Sequence, residues 1–524
     1  MKLETFFEKF DQFADAPDAV EKMRELVLDL AVKGKLTDRD LKKESVVSEY
    51  SDEPSSDALP TNWRLLNFGR FCDIQGGNQP PKSQFSDEPR PGYVRMFQIR
   101  DLGERPVPVY ISKESTNRFC REGEILIGRY GASVGKVFWA QDGAYNVALA
   151  KFIFPEDALL PAFAFWVLKS DFFQAEIAGA SRSAQAGFNK GDLAAIDFPL
   201  PPLAEQKRIV AKVDELMALC DRLEAQQQER EDQASKLARA SLARFADAPT
   251  PANLQFLFPP SYAIPPADLR KSILTLAVQG KLVPQDPNDE PAEELVARIA
   301  RELTQEQRRK QAAPLTPLPA ESLQYEVPDG WTWARFRDVA IIASNLVKPD
   351  EFLDFTHLAP DNIEKGNGVL LPCRTVREDK VISSNHRFYP GQIVYSKIRP
   401  NLAKVVVVDF EGLCSADMYP IDALIDAFYL QLYMLSESFL VQAVKTDTRV
   451  AMPKINQTEL NAIVVPVPPL AEQRRIVAKV EQLMALVDAL VTQLAASRAT
   501  AANLLSALVA ELTQSNPETT HATV

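Results

Sequence analysis

Histidine is close to absent from this chain of 524 residues, which contains only His357, His386 and His521. Such scarcity leaves no imidazole-based metal cluster and no Ser/His/Asp arrangement in view. Cysteine is sparse as well. Cys72, Cys120, Cys220, Cys373 and Cys414 are scattered without a CxxC pair, which excludes a disulfide framework and makes a reducing cytoplasm the natural setting. No uncharged apolar run approaches the roughly eighteen residues of a membrane-spanning helix. The opening "MKLETFFEKFDQFADAPDAVEKM" is studded with acids and has no apolar centre, so no secretion signal is expected. Positive charge is in deficit: 59 Lys and Arg face 71 Asp and Glu, a net −12. That sum argues superficially against nucleic acid. The acidity sits largely outside the central segments, however, and a near-neutral domain can still present a basic face.

Catalytic motifs are missing too. "GRYGASVGK" (128–136) resembles a phosphate-binding loop, but the span from Gly131 to Gly135 and Lys136 is one residue short, and Val137 stands where Ser or Thr is required. No GxGxxG follows a strand pattern. "NQPPK" (78–82) only resembles the [DN]PP[FYW] run with which adenine methyltransferases hold a flipped base. Pro349-Asp350 with Glu378-Asp379-Lys380 fits a nuclease PD…(D/E)xK pattern loosely, as charged chains do by chance. No catalytic residue, metal ligand or cofactor site is expected in this chain.

What the sequence has instead is repetition. "PPLAEQKRIVAKVDELMAL" begins at Pro201 and "PPLAEQRRIVAKVEQLMAL" at Pro468, differing only at Lys207/Arg474, Asp214/Glu481 and Glu215/Gln482. "LVLDLAVKGKL" (26–36) returns as "ILTLAVQGKL" (273–282), and "FNKGDLAAIDFPLPPLAEQ" (188–206) as "INQTELNAIVVPVPPLAEQ" (455–473). "NWRLLNFGRF" (62–71) has a weaker echo in "TWARFRDVA" (332–340), which sets Trp63 against Trp333. A period this long is a duplicated domain plan, not a solenoid. The plan predicts an N-terminal helical region (1–60), a globular segment (61–200) and a long helix (201–246). A linker and helical region (247–330), a second globular segment (331–467) and a C-terminal long helix with its tail (468–524) repeat it.

The globular segments share almost no sequence beyond their ends. Runs such as "EILIGRYGASVGKVFWA" and "QIVYSKIRPNLAKVVVVDF" are β-rich and cut by Gly, Pro and Asn, with helical patterns between them. The fold class is therefore α+β. In the long helices Ile209, Val213, Leu216, Cys220 and Leu223 recur at spacings of four and three, as do Ile476, Val480, Leu483, Val487, Leu490 and Leu494. That is the seam of a coiled coil, and two equal seams in one chain predict mutual pairing.

These motifs resemble those of the DNA-specificity subunit of a type I restriction–modification system, over nearly the whole length. The most specific part is the duplicated P-(L/V)-P-P-L-A-E-Q-x-R-I-V-A-K-V after two unlike domains; "ILIGRYGASVGKV" (125–137), "AVQGKLVPQDPNDEPAEELVARI" (277–299) and "IVYSKIRPNLAKV" (393–405) are further family-like phrases. The resemblance implies two target recognition domains, each reading one half of a split sequence in double-stranded DNA, separated by two antiparallel helices. It implies docking of two modification subunits that supply S-adenosylmethionine and adenine methylation. Restriction and translocase subunits, using ATP and Mg, would complete the complex. A specificity subunit of a single-complex restriction enzyme that cuts on both sides of its site would show the same repeat, and a coiled-coil scaffold without DNA is the reading from another class. Antiparallel pairing would create a pseudo-two-fold axis and two equivalent docking surfaces, for which Glu205, Gln206, Arg208, Lys212, Glu472, Gln473, Arg475 and Lys479 are the candidates.

Reading bases in the major groove requires Arg, Lys, Asn and Gln on loops that can enter it. In the first domain the candidates are Gln75, Asn78, Gln79 and Lys82, then Arg129, Tyr130, Ser133 and Lys136, then Ser181, Arg182, Ser183, Gln185, Asn189 and Lys190. In the second they are Ser344, Asn345, Lys348, Arg374, Ser396, Lys397, Arg399, Asn401, Lys404, Thr446, Arg449, Lys454 and Asn456.

Overall fold

A computed structural model describes residues 3–37, 59–103, 105–180, 187–248, 250–259, 263–303, 318, 323–444 and 453–514. It divides into two compact units, residues 1–229 with 496–524, and residues 230–495. Two helices of 45 residues, Leu203–Asp247 and Leu470–Gln514, are each divided between the units. Proline pairs at 201–202 and 468–469 stand immediately before their first turns, and Glu205 and Glu472 lie in those turns, where the N-terminal partial charge favours an acid.

Among the described residues the first unit carries ten strands: β1 (Arg64–Asn67), β2 (Asp73–Gly76), β3 (Tyr93–Phe97), β4 (Tyr110–Ser112), β5 (Phe119–Cys120), β6 (Ile125–Gly128), β7 (Val137–Trp139), β8 (Gly143–Tyr145), β9 (Leu149–Ile153) and β10 (Asp197–Leu200). The second carries β11 (Thr332–Arg335), β12 (Ala340–Ile342), β13 (Leu346–Val347), β14 (Thr356–Leu358), β15 (Arg374–Thr375), β16 (Asn385–Phe388), β17 (Ile393–Ser396), β18 (Val405–Val407), β19 (Gly412–Cys414), β20 (Met418–Ala423) and β21 (Val464–Val467). Their connections match. The orders β2-β9-β6-β7 and β12-β20-β17-β18 are the same path, and β1-β10 corresponds to β11-β21. The remaining sheets, β4-β3-β8-β5 and β13-β16-β19-β14-β15, each hold one parallel pair, β3 with β8 and β14 with β19. Strand β13 is an extra edge of the second.

Inner strands β6 and β17 explain why their sequences read as unbroken apolar runs. Ile125 and Ile127 enter the main core of the first unit while Leu126 faces a second cluster with Phe97 and Tyr145. Ile393 and Tyr395 likewise enter the main core of the second unit, and Val394 faces Leu358, Phe388 and Cys414. Alternate side chains therefore serve opposite faces, and both faces are covered.

Strand register corrects the alignment of the repeat. Arg64 lies opposite Leu200 and Thr332 opposite Val467, so the counterpart of Trp63 is Trp331 and not Trp333. Both sit against a left-handed glycine. A Cβ on Gly34 (φ 64°) would lie 2.5 Å from Pro60 Cγ and 3.0 Å from Trp63, and a Cβ on Gly280 (φ 69°) would collide likewise with Pro328 and Trp331. Trp333 instead packs against the Tyr325 ring. An echo of only a few residues between diverged strands does not fix register; backbone pairing does.

The expected two-helix seam is only part of what the apolar stripe meets. Ile209, Val213, Leu216 and Cys220 are buried in one cluster with the short helix Ala19–Val32, with domain residues such as Phe163 and Phe198, and with Leu505 and Leu508 of the C-terminal helix. Ile476, Val480, Leu483 and Val487 are buried in the same way with Ile273, Tyr429, Val465 and Phe245. Leu223 and Leu490 are only partly buried against these cores, and Leu494 is half-buried. An amphipathic stripe states which face is covered, not what covers it.

Candidate nucleic-acid interface

In the first domain the polar runs converge. Gln75 lies in β2, and its Oε1 accepts from Tyr145 Oη at 2.9 Å. Burial pushes the Tyr145 phenol up to about 12, so it donates as a neutral hydroxyl. Asn78 Oδ1 accepts from Thr116 Oγ1 at 2.6 Å and Gln79 Oε1 from Asn146 Nδ2 at 3.2 Å. The three amide oxygens are thus committed internally. Arg129 packs its guanidinium against Gly76 and over the ring of the exposed Tyr130, 5.1 Å from its centroid. Tyr130 bridges to Gly187, and Phe188 N donates to Arg129 O at 3.3 Å, which brings up the third run. Lys190 Nζ reaches Asp73 Oδ2 at 2.7 Å, and that hydrogen bond holds the Asp73 carboxyl below its ordinary range. Lys82 and Lys136 are exposed, while Ser133 is half-buried beside Gly128. Ser181, Arg182, Ser183 and Gln185 lie outside the described residues.

The second domain gathers its runs around the loop that follows β17. Ile398 bridges to Lys454, and Arg399 N donates to Pro453 O at 2.8 Å. Several candidates are committed to the fold. Ser396 is buried, with Oγ donating to Ile398 O at 3.2 Å, so it leaves the set of base readers. Lys397 Nζ donates to Ala416 O at 2.7 Å, Lys404 Nζ to Pro360 O at 2.7 Å, and Lys454 Nζ to Asp417 at 3.0 Å. Asn456 caps the helix Gln457–Ala462 by accepting from Glu459 N at 2.9 Å, as Asn189 caps Lys190–Leu193. The signal for those caps was legible: an acid follows each Asn by three residues. Arg399, Asn401, Lys348 and Ser344 are exposed, and Asn345 is half-buried, its backbone carbonyl accepting from Arg387 N. Arg374 lies apart, on the edge strand β15. Thr446 and Arg449 lie outside the described residues.

The residues expected to face partner subunits are largely an internal joint. Glu205, Gln206, Glu472 and Gln473 are essentially fully buried. Gln206 Oε1 accepts from Leu160 N at 2.8 Å, and its Nε2 donates to Ala158 O and Pro201 O. Gln473 repeats this with Asp426 N and Pro468 O, both at 2.8 Å. Glu205 accepts from Asn62 at 3.0 Å; Glu472 accepts from Trp331 Nε1 at 3.0 Å and Gln285 at 3.2 Å, although burial still raises its carboxyl above the ordinary range. Arg475 pairs with Asp289 at 2.6 Å, Lys212 with Glu215 at 3.2 Å, and Lys479 with Gln482 at 3.1 Å; Arg208 is half-buried. The polar letters repeat because each long helix is clamped to its own globular domain by the same hydrogen bonds.

Thr116, Tyr145, Asn146 and Asp417, which position the candidates, were missed by sequence reasoning. They come from distant strands and loops, and no local motif marks them. Among the described residues no helix is long and apolar enough to cross a membrane, and no group of three metal-ligating side chains occurs.

Comparison with known proteins defines the class. Residues 60–230 and 362–496 match the family model of the type I restriction modification DNA specificity domain, and the chain belongs to that family. It is 30% identical over 459 residues to the type I restriction enzyme EcoDI specificity subunit of Escherichia coli, covering 87% of this chain and 89% of that one. The EcoAI specificity subunit of Escherichia coli is 25% identical over 548 residues, covering 89% of both. A chain solved in work on the assembly and conformational transition of the type I system shares the fold with a TM-score of 0.51 at 18% identity, covering 88% of this chain and 99% of that one. This chain is thus a specificity subunit of a type I restriction–modification system, the component that recognises DNA.

Proposed function

We propose that each globular domain reads one half of a bipartite duplex sequence. The first would read through the joined surface of Gln75, Asn78, Gln79, Arg129, Tyr130 and Lys136, the second through the loop around Arg399 and Asn401. One observation carries this reading: the two domains share a strand path while their exposed loop side chains differ. A common scaffold with different outward residues suits an asymmetric two-part target. The long helices would pair antiparallel about a pseudo-two-fold axis and hold the domains at a fixed separation along the duplex.

The chain would itself be non-catalytic and would act in the cytoplasm with two modification subunits, which carry S-adenosylmethionine, and with ATP- and Mg-dependent restriction subunits. Their docking surface is better sought where the duplicated phrase is exposed. Ala204, Ala211 and Ala218 are exposed and spaced by seven, as are Ala471, Ala478 and Ala485. Own-core packing does not require that identity, whereas two identical partners do.

The test is an exchange of residues 61–200 for the corresponding segment of a relative of different specificity, followed by sequencing of methylated adenines in cells carrying the partner subunits. One half-site word should change while the other persists. Loss of neither word, or replacement of both, rejects the assignment.

A further inference from the structure

Arg129–Lys136 and Lys397–Lys404 are the same backbone device carrying different letters. Each loop leaves an inner strand, β6 or β17, and bridges at its second residue, Tyr130 to Gly187 and Ile398 to Lys454. In each the first carbonyl accepts from the segment that follows, at 3.3 Å from Phe188 N and at 3.0 Å from Ile455 N. Each includes a 3-10 turn, Gly131–Ser133 and Pro400–Leu402. Both take left-handed φ at the third and seventh residues. In the first domain these are Gly131 (66°) and Gly135 (81°); in the second they are Arg399 (49°) and Ala403 (46°).

A left-handed backbone strains any residue with a Cβ and leaves glycine unstrained. The first domain shows that glycine satisfies this loop at its third position, so the backbone alone does not call for arginine there. Ala403 is buried, and its methyl has a packing role. The Arg399 side chain is exposed and makes no hydrogen bond or ion pair among the described residues. Its neighbours differ in this respect. Lys397, Lys404 and Lys454 each spend their ammonium on a carbonyl or carboxylate of the domain itself. The backbone that carries Arg399 is held at both ends, its N–H to Pro453 O and its carbonyl to Leu402 N, each at 2.8 Å. Strain retained at an exposed side chain with no internal partner points to a function for that side chain. A rigidly presented guanidinium matches the O6 and N7 acceptors of guanine, which two parallel N–H groups can engage together.

We infer that Arg399 is the specificity-determining residue of the second domain and reads a guanine in its half-site, at a place where the first domain, with Gly131, presents no side chain. This rests on the reading of the second domain as a half-site reader.

The experiment compares Arg399→Gly, Arg399→Ala and Arg399→Lys in the full chain assembled with its modification subunits. It measures methylation at every single-base variant of the target, together with thermal melting. Glycine and alanine should both relax one G·C position in one half-site, lowering discrimination there roughly 5- to 150-fold, and leave the other word intact. Arg399→Gly should melt above Arg399→Ala, since only glycine relieves the left-handed strain. Lysine should keep much of the affinity and lose the discrimination, because a point charge cannot make the paired contact. Retained discrimination at all positions in the glycine and alanine variants overturns the inference. So does a lysine variant with full discrimination, or a uniform loss of affinity across sequences, either of which marks a phosphate contact. If exchange of residues 331–467 for a relative's segment leaves both words unchanged, the parent reading fails, and this inference fails with it.

Discussion

At the scale of single residues, the most consequential side chains are polar and buried. Gln473 satisfies two backbone groups at the join of helix and domain, Asp426 N–H and Pro468 C=O. Truncation leaves both without partners in a site closed to water. Gln473→Ala should therefore cost about 2–4 kcal/mol, read as a lower urea midpoint of the full chain. A change within a few tenths of a kcal/mol would show that water replaces the amide. His386 makes a second prediction. It is buried, with Nδ1 unpartnered among the described residues, and burial, then the Lys397 charge, lowers its pKa from 6.5. The folded state therefore refuses a proton that the unfolded chain accepts. The stability tied to neutral His386 is present above the unfolded value of about 6.5 and is lost as pH falls through it. Melting temperature should drop between about pH 7 and 5.5 in the natural chain and fall less steeply in His386→Leu. Equal slopes would mean that the imidazole titrates without penalty.

At the scale of elements, the helices do two jobs on two faces. In the first half of each helix the inward face carries the apolar stripe and the Glu-Gln clamp, tied to the globular domain that precedes it. The outward face carries alanines at matching positions. If those alanines seat partner helices, Ala211→Arg and Ala478→Arg should leave the melting temperature of the isolated chain within about a degree, since arginine is nearly as good a helix former as alanine. Co-purification of the modification subunit should nevertheless fall, to about one copy with either variant and to none with both. Full assembly of the double variant would move docking elsewhere on the chain.

At the scale of the whole molecule, the helices should act as the ruler between half-sites. Four residues inserted after Leu223 lengthen a helix by about 6 Å and turn it by about 40° beyond a full turn. Six ångströms is nearly two base pairs of duplex. The expected methylome keeps both half-site words and widens the gap between them. An active variant that keeps the original gap would show that another element sets the distance.

The sequence by itself determined the duplicated plan, the α+β class, the starts of both long helices and the family. Each of those rests on local or repeated patterns: prolines before a helix, a stripe at helical spacing, a phrase written twice. Tertiary structure decided the rest, because the rest depends on pairing between distant segments. It set Trp63 against Trp331 through strand register, turned Glu205, Gln206, Glu472 and Gln473 inward, and gave the two apparently unrelated domains one strand path. It also separated Arg399 from Lys397 and Lys404, which read alike in the sequence. Whether a cation is exposed or held by a carbonyl is not written in its letter, and only the position of the carbonyl, brought from Pro360 or Ala416 by the folded sheet, decides it.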